Sequence, residues 1–231
     1  MLNPTIITQL QAIVGETRVK TDADSLKTWG CDWTKHYTPS ASAIVFPATT
    51  EEVQAIVKLA NQENIVLVPS GGRTGLSAGA VAANNEVVIS FDRMNKIVQF
   101  YPADRMVKVQ AGVVTEQLQQ FADEQGLYYP VDFASAGSSQ IGGNIGTNAG
   151  GIKVIKYGMT RAWVLGLTVV TGKGDILHLN KGMMKNATGY DLRHLFIGAE
   201  GTLGFVTEAE IKLERKPRDL RVLVLCTPDF D

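Results

Sequence analysis

The sequence predicts an α+β fold in two lobes, and three observations carry that expectation. Residues 43–69 read as strand, helix, strand, the order of a βαβ unit. Strand patterns at 97–100, 106–109, 164–170, 176–179 and 205–213 then follow with few helices between them, as in a mainly antiparallel sheet with flanking helices. Glycine is gathered into turns between these elements instead of being spread along the chain. At 231 residues, 45% of them hydrophobic and 19% charged, the chain can hold a substantial core. A net charge of −1 from well-mixed acidic and basic residues leaves no electrostatic footprint for nucleic acid or an anionic membrane. No apolar run approaches the roughly 18 residues needed to cross a bilayer, and no signal peptide opens the chain. A cytoplasmic protein is expected.

Residues 1–14 carry Ile6, Leu10, Ile13 and Val14 on one side of a short amphipathic helix, and residues 1–37 are read as a helical extension. The first lobe, about 38–100, opens with the strand Ala43, Ile44, Val45, Phe46, which Pro47 ends. Thr49 then caps a helix, with Glu52 three residues on in the place that completes a capping box. Val53, Ile56, Val57 and Ala60 give that helix its buried stripe. The strand 65–68 follows, so a right-handed crossover between parallel strands is expected. After a strand at 87–91, the second lobe, about 101–217, contributes a hairpin around 102–104 and a helix from Thr115. That helix turns Leu118, Phe121 and Ala122 inward and stops at Gly126. Residues 169–177 read as a hairpin with a glycine turn, 192–197 as a short helix, and 205–213 as a half-exposed strand. Beyond Pro217, residues 222–226 look like the first strand of a further domain that is cut off.

Two glycine segments dominate the chemistry. FASAGSSQIGGNIGTNAGGI (133–152) is twenty residues without a charge, in which Ser138, Ser139, Asn144, Thr147 and Asn148 stand among six glycines and Ile141, Ile145 and Ile152 act as apolar pins. It reads as a long uncharged loop whose free N–H groups suit a phosphate or an aromatic heterocycle. PSGGRTGLSAG (69–79) leaves the carboxyl end of a parallel strand, where open α/β sheets bind ligands, and Arg73 is its only charge. Two such segments point to one shared dianionic ligand. A third glycine turn, 198–204, enters a strand, and 186–192 joins the binding machinery.

Other chemistries fail a direct check. The only G-x-G, Gly172 to Gly174, has Leu177 where a dinucleotide fingerprint needs glycine, and it lacks the spacing and hydroxyl of a P-loop. His36, His178 and His194 do not fall at metal-ligand spacings, and no serine or cysteine sits in a nucleophile elbow. Cys31 and Cys226 are read as buried thiols. Many neutral donors with few titrating groups suit a large cofactor that brings its own reactivity.

In this order, PSGGRTGLSAG (69–79), PVD (130–132), GSSQIGGNIGTNAGG (137–151), KYG (156–158), NATGYDL (186–192) and GAEGTLGFVT (198–207) resemble the vanillyl-alcohol-oxidase-type flavoproteins, also called FAD-binding PCMH-type proteins. The branch most resembled is the FAD-linked 2-hydroxy-acid dehydrogenases. The resemblance covers about residues 38–217 and implies FAD lying between two lobes. Residues Gly71, Gly72, Arg73, Thr74, Gly75 and Leu76 would then hold the pyrophosphate through backbone amides, with Pro69 shaping the loop. Asp132 belongs to the matched PVD block. Ser138, Ser139, Gly142, Gly143 and Asn144 would line the phosphates and the ribityl–flavin junction. Thr147, Asn148, Gly150 and Gly151, with Tyr157 and Gly158 nearby, would approach the isoalloxazine, and Glu200, Gly204 and Val206 would flank the adenosine.

Members that tether flavin covalently carry histidine where this chain has Arg73, so the resemblance implies non-covalent FAD. It further implies oxidation of a small 2-hydroxy acid (D-lactate, glycolate or D-2-hydroxyglutarate type) with a quinone, a cytochrome or an electron-transfer flavoprotein as acceptor. A homodimer is compatible with it. The family's substrate-binding cap and catalytic base lie outside the matched region, 218–231 reads as the start of a truncated cap, and no catalytic or metal residue is assigned. The alternatives are a non-catalytic FAD-binding subunit of a hetero-oligomeric oxidase and, more distantly, a relative of the NADPH reductases of this fold.

Overall fold

The structure is a computed structural model that describes residues 2–34, 36–219 and 221–229. Met1, in the expected N-terminal helix, and Phe230 and Asp231, in the expected terminal segment, lie outside the described residues.

The first sheet has the order β1-β2-β4-β3. Helix α1 (Pro4–Val14) starts where Asn3 caps the Thr5 N–H, and it buries Leu10 and Val14 in the core of this lobe. Strand β1 (Val19–Lys20) pairs antiparallel with β2 (Ala43–Val45), and α2 (Ala23–Trp29) lies between them in sequence. Among the described residues before 38, Leu10, Val14 and Val19 thus pack in the core of the first lobe. Thr49 accepts the Glu52 N–H at the start of α3 (Thr50–Glu63). The box is not closed in return, because the Glu52 carboxylate accepts from Ala48 N–H and pairs with Arg18 through two bonds of 2.7 and 2.8 Å. An ion pair with bidentate geometry outcompetes the capping contact. Val53, Ile56, Val57 and Ala60 of α3 are buried, as the spacing predicts. Strands β2 and β3 (Leu67–Ser70) run parallel but do not touch; β4 (Val87–Ser90) lies between them and pairs parallel with both. The first glycine segment leaves the carboxyl end of β3.

The second sheet, β5-β6-β10-β8-β9, is antiparallel throughout. Strands β5 (Ile97–Tyr101) and β6 (Met106–Gln110) form the expected hairpin. Helix α4 (Thr115–Glu124) packs Leu118 and Ala122 against the sheet, and β7 (Leu127–Tyr128) pairs with β11 (Glu214–Arg215). Strands β8 (Val164–Thr171) and β9 (Ile176–Leu179) join through Gly174 at φ 85°, confirming a hairpin where a P-loop could be imagined. In β10 (Gly204–Lys212) Phe205, Thr207, Ala209 and Ile211 are buried in strict alternation. A bulge between Val206 and Glu208 re-aims the strand. Phe205 thereby joins Val170 and Ala111 in the core of the first lobe, while Ala209 and Ile211 belong to that of the second. The two lobes share one sheet as a wall.

Four expectations are corrected. The stretch 133–152 is not one loop: residues Ile141–Thr147 form helix α5, followed by α6 (Val154–Tyr157). Ile141 and Ile145 are buried pins, but Ile152 is 87% exposed. Residues 222–226 form no strand, and Val222 to Leu225 are exposed, since no described strand offers them a ladder partner. Neither thiol is buried: Cys31 is half-buried in the loop after α2 and Cys226 is exposed. Among the described residues no helix is long and apolar enough to cross a membrane.

Candidate cofactor-binding cleft

Strand β3 ends at the fully buried Ser70, and the chain then turns away from the sheet without finding new backbone partners. Among the described residues, no main-chain N–H from 71 to 77 donates to an acceptor within the chain. Arg73 at φ 58° and Ala78 at φ 63° hold left-handed backbone there, and Leu76 is 72% exposed. The outer side is braced by the loop after α2, where Trp33 N–H donates to the Gly75 carbonyl at 2.9 Å. A segment of unsatisfied amides on an ordered frame is a donor surface for an anion.

The second segment behaves differently from its expected reading. Its amides are mostly taken: Ser138 and Ser139 donate to Ser135, Ile141 to Val113, Gly142 to Ala111 and Asn144 to Gln140. The Ser139 and Asn144 side chains turn inward onto Thr115, at 2.8 and 2.7 Å, and are buried. Glycine serves proximity here. A Cβ on Gly142 would lie 2.7 Å from that of Ala111, so α5 sits directly on the end of β6. Gly143, turned about 100° from Gly142 around the helix, meets nothing within 4 Å. Thr147 bonds back to the Gly143 carbonyl, and Asn148 ends α5 at φ 49° with its side chain accepting the Arg161 N–H.

The glycine segments meet. A Cβ on Gly72 would fall 2.2 Å from the Ser138 carbonyl oxygen and 2.8 Å from Ser139 Cα, and one on Gly71 would be 3.7 Å from Gly143 Cα. The third turn closes on both: Gly201 lies against Pro69, and Glu200, at φ 50°, donates its N–H to Gly146 and brings its carboxylate near Gly79. Gly204 and Val206 follow at the start of β10, with the Val206 side chain packed on the core of the second lobe. At the far end Gly151 lies on the Asp132 carbonyl, and Gly150 touches Met159 and Val154. The Asp132 carboxylate is committed to Lys153 at 2.8 Å, and Tyr157 is packed among Tyr128 and Trp163, with Gly158 at φ 74° behind it. The segment 186–192 stays exposed, with Asp191 bound to Arg193 and His194.

Sequence reasoning missed Trp29, Asp32, Asp92, Thr115 and Gln140. Asp92 accepts from Trp29 Nε1 and Gln140 Nε2, both at 2.7 Å, and from two nitrogens of Arg73 at 3.3 Å. Arg73 also donates to the Gly71 carbonyl, two residues earlier, at 2.8 Å. Burial alone would raise the Asp92 carboxyl, but the Trp29 N–H, the Arg73 charge and the Gln140 amide outweigh it and hold it below 3.8. Such a carboxyl contributes stability that is complete above the unfolded value and is lost as pH falls through the folded one. The melting temperature is therefore expected to drop on acidification below about pH 4, and Asp92→Asn is expected to flatten that limb in melts from neutral to acid pH. An identical limb in the variant would place its origin elsewhere.

A separate groove of about 310 Å³ on the outer face of the second sheet, lined by Lys108, Thr168, His178, Lys181, Glu208 and Glu210, is unrelated to the glycine segments. Burial raises the Glu210 carboxyl there.

The cleft fits a dinucleotide. It offers free amides for a pyrophosphate and side chains small enough for close approach. It also contains polar atoms buried without partners in Ser70, Gln140 and Asp32, all beside the first segment. The chain is 68% identical over all 231 residues to a D-2-hydroxyglutarate dehydrogenase of Stutzerimonas stutzeri (strain A1501), covering 50% of that protein. It is 54% identical to one from Xanthomonas citri pv. viticola, again over its whole length and 49% of the relative. The chain thus spans about half the length of these relatives. Among solved structures it superimposes on an alkyldihydroxyacetonephosphate synthase with a TM-score of 0.84 at 26% identity, over 95% of this chain and 42% of the other. Residues 41–180, more than half of the chain, match the model of the FAD binding domain. The chain belongs to the FAD binding domain family, and its cofactor is FAD.

Proposed function

We propose that this chain is the FAD-holding portion of a flavin-dependent dehydrogenase that oxidises a small 2-hydroxy acid to the 2-oxo acid. The observation that carries the reading is the contact of Gly72 with Ser138 and Ser139, which joins the two glycine segments into one cleft. Bound there, FAD supplies a two-electron acceptor for the hydrogen on the substrate α-carbon. The residues of this chain bind and orient it. The amides of 71–77 donate to the pyrophosphate, Pro69 and Gly201 set the height of that loop, and the open side of α5 at Gly143 admits the chain of the cofactor. Gly150 and Gly151, beyond Asn148, leave room at the isoalloxazine end, and Glu200 faces the adenosine end.

The high identity to proteins named D-2-hydroxyglutarate dehydrogenase favours D-2-hydroxyglutarate over D-lactate or glycolate as the acid oxidised by the complete enzyme. FAD is held without a covalent bond: Arg73 occupies the tethering position of the resemblance, and the Cys31 thiol points back to the Thr28 carbonyl. A cytoplasmic setting, a homodimer and an acceptor such as a quinone, a cytochrome or an electron-transfer flavoprotein belong to the same reading.

Titrating FAD into the purified chain should quench flavin fluorescence, and denaturation should return all the flavin to solution. No uptake at high micromolar FAD, by this chain or by a version extended with the remaining half of its relatives, would overturn the reading.

A further inference from the structure

We propose that Asp92 is a positioning residue that latches the two glycine segments together across the cleft and, by fixing the Gln140 amide, decides which of its atoms faces the cofactor. The inference rests on the FAD reading above and concerns a residue outside every glycine motif. Asp92 lies two residues beyond the end of β4, the inner strand that neighbours β3, so it emerges beside the first segment. Its four donors come from three places: Trp29 at the end of α2, Arg73 within the first segment, and Gln140 as the cap of α5 in the second.

A carboxylate has about four lone-pair sites. With four donors already in place, Asp92 has no capacity left for a ligand and acts through its partners. Arg73 is committed as well. Its guanidinium bonds Gly71 and Asp92 and lies 5.9 Å above the Trp29 ring, so the one charge of the first segment is neutralised internally. The anion is left to the backbone amides. Arg73 also holds φ 58°, a conformation that a long side chain keeps only when its surroundings over-determine it. Removing the carboxylate releases that residue and the loop around it.

The consequence for Gln140 is chemical. Asp92 can only accept, so the amide must turn its nitrogen to Asp92 and its oxygen away. That oxygen is buried, has no partner, and lies 3.5 Å from where a Cβ on Gly71 would be. An acceptor there rejects a phosphate oxygen and takes a hydroxyl, the group carried by the ribityl and ribose parts of the cofactor.

The test compares the wild-type chain with Asp92→Asn and Trp29→Phe, reading FAD affinity by flavin fluorescence and amide exchange in the FAD-free proteins. Asp92→Asn should weaken FAD binding by roughly tenfold or more, the worth of hydrogen bonds to a charged group. It should also speed exchange at Ile141 and Gly142, whose amides bond Val113 and Ala111 and touch no ligand. Trp29→Phe removes one of the four donors, so it should weaken FAD binding by a smaller factor and lower the melting temperature only modestly, and it decides the matter if Asp92→Asn does not fold. Wild-type affinity in either variant, or unchanged exchange at Ile141 and Gly142 in Asp92→Asn, overturns the latch. Absence of FAD uptake by both the wild-type chain and its extended version sinks the cofactor reading instead, and the exchange measurement still judges the latch.

Discussion

Gly143→Val is expected to leave the chain folded and to abolish FAD uptake. The two effects separate because of where the added atoms go. A Cβ at Gly143 meets no atom within 4 Å, whereas one at Gly142, a single residue earlier, would press on Ala111 at 2.7 Å. Valine at 143 therefore costs no internal contact, and valine and glycine differ by only a few tenths of a kcal/mol in helix propensity. Its methyl groups project into the space shared with Gly71, whose own Cβ position is 3.7 Å from Gly143 Cα. The helix cannot retreat to make room, since Gly142 is bonded to the Ala111 carbonyl at 2.7 Å on its inner side. A loss of roughly a hundredfold or more in affinity is expected, the size of a steric conflict of about 3 kcal/mol. Melting temperature and FAD titration on the same sample check it. Wild-type affinity would place the cofactor away from α5; a collapse of the fold would mean that side of the helix is not open.

What could be read beforehand, and what could not, follows the range of the physics involved. The stripe of α3, the 169–177 hairpin and the alternation of β10 are local patterns, and each appears where its periodicity puts it. The glycine segments were legible for a related reason: an absent side chain records a steric demand. The kind of demand was not legible. Three glycines in seven residues argue against a helix on propensity alone, yet α5 forms, because Gly142 gains contact with Ala111 while Ile141 and Ile145 anchor it in the core. Tertiary packing overrides the local preference. Asp92 was invisible because its partners come from 19 to 63 residues away. One signal could have found it: an arginine that is the only charge of a glycine segment needs a counter-charge, and that segment holds none. The pairing of β2 and β3 through β4 is likewise a long-range outcome that a strand–helix–strand pattern does not specify.

Gly72→Ala is expected to act on the junction itself, and so to cost stability as well as binding. Its single added carbon would stand 2.2 Å from the Ser138 oxygen, 2.9 Å from the carbonyl carbon and 2.8 Å from Ser139 Cα. These are main-chain atoms, which no rotamer change can clear. They are also pinned: Ser138 and Ser139 donate to Ser135, and the Ser139 carbonyl receives the Thr115 N–H at 2.9 Å. One segment must move off the other, straining the Arg73–Asp92–Gln140 bonds that span them. A loss of about 3 kcal/mol is expected for overpacking against rigid backbone, which for a chain of this size lowers the melting temperature by roughly 6–12 °C. FAD affinity should fall in parallel. Gly143→Ala is the matched control, because the same carbon added there meets open space and alanine is the better helix former, so its melting temperature should hold or rise. If Gly72→Ala melted like its control, the segments would not be in contact in solution, and a cleft formed by their meeting would have to be abandoned.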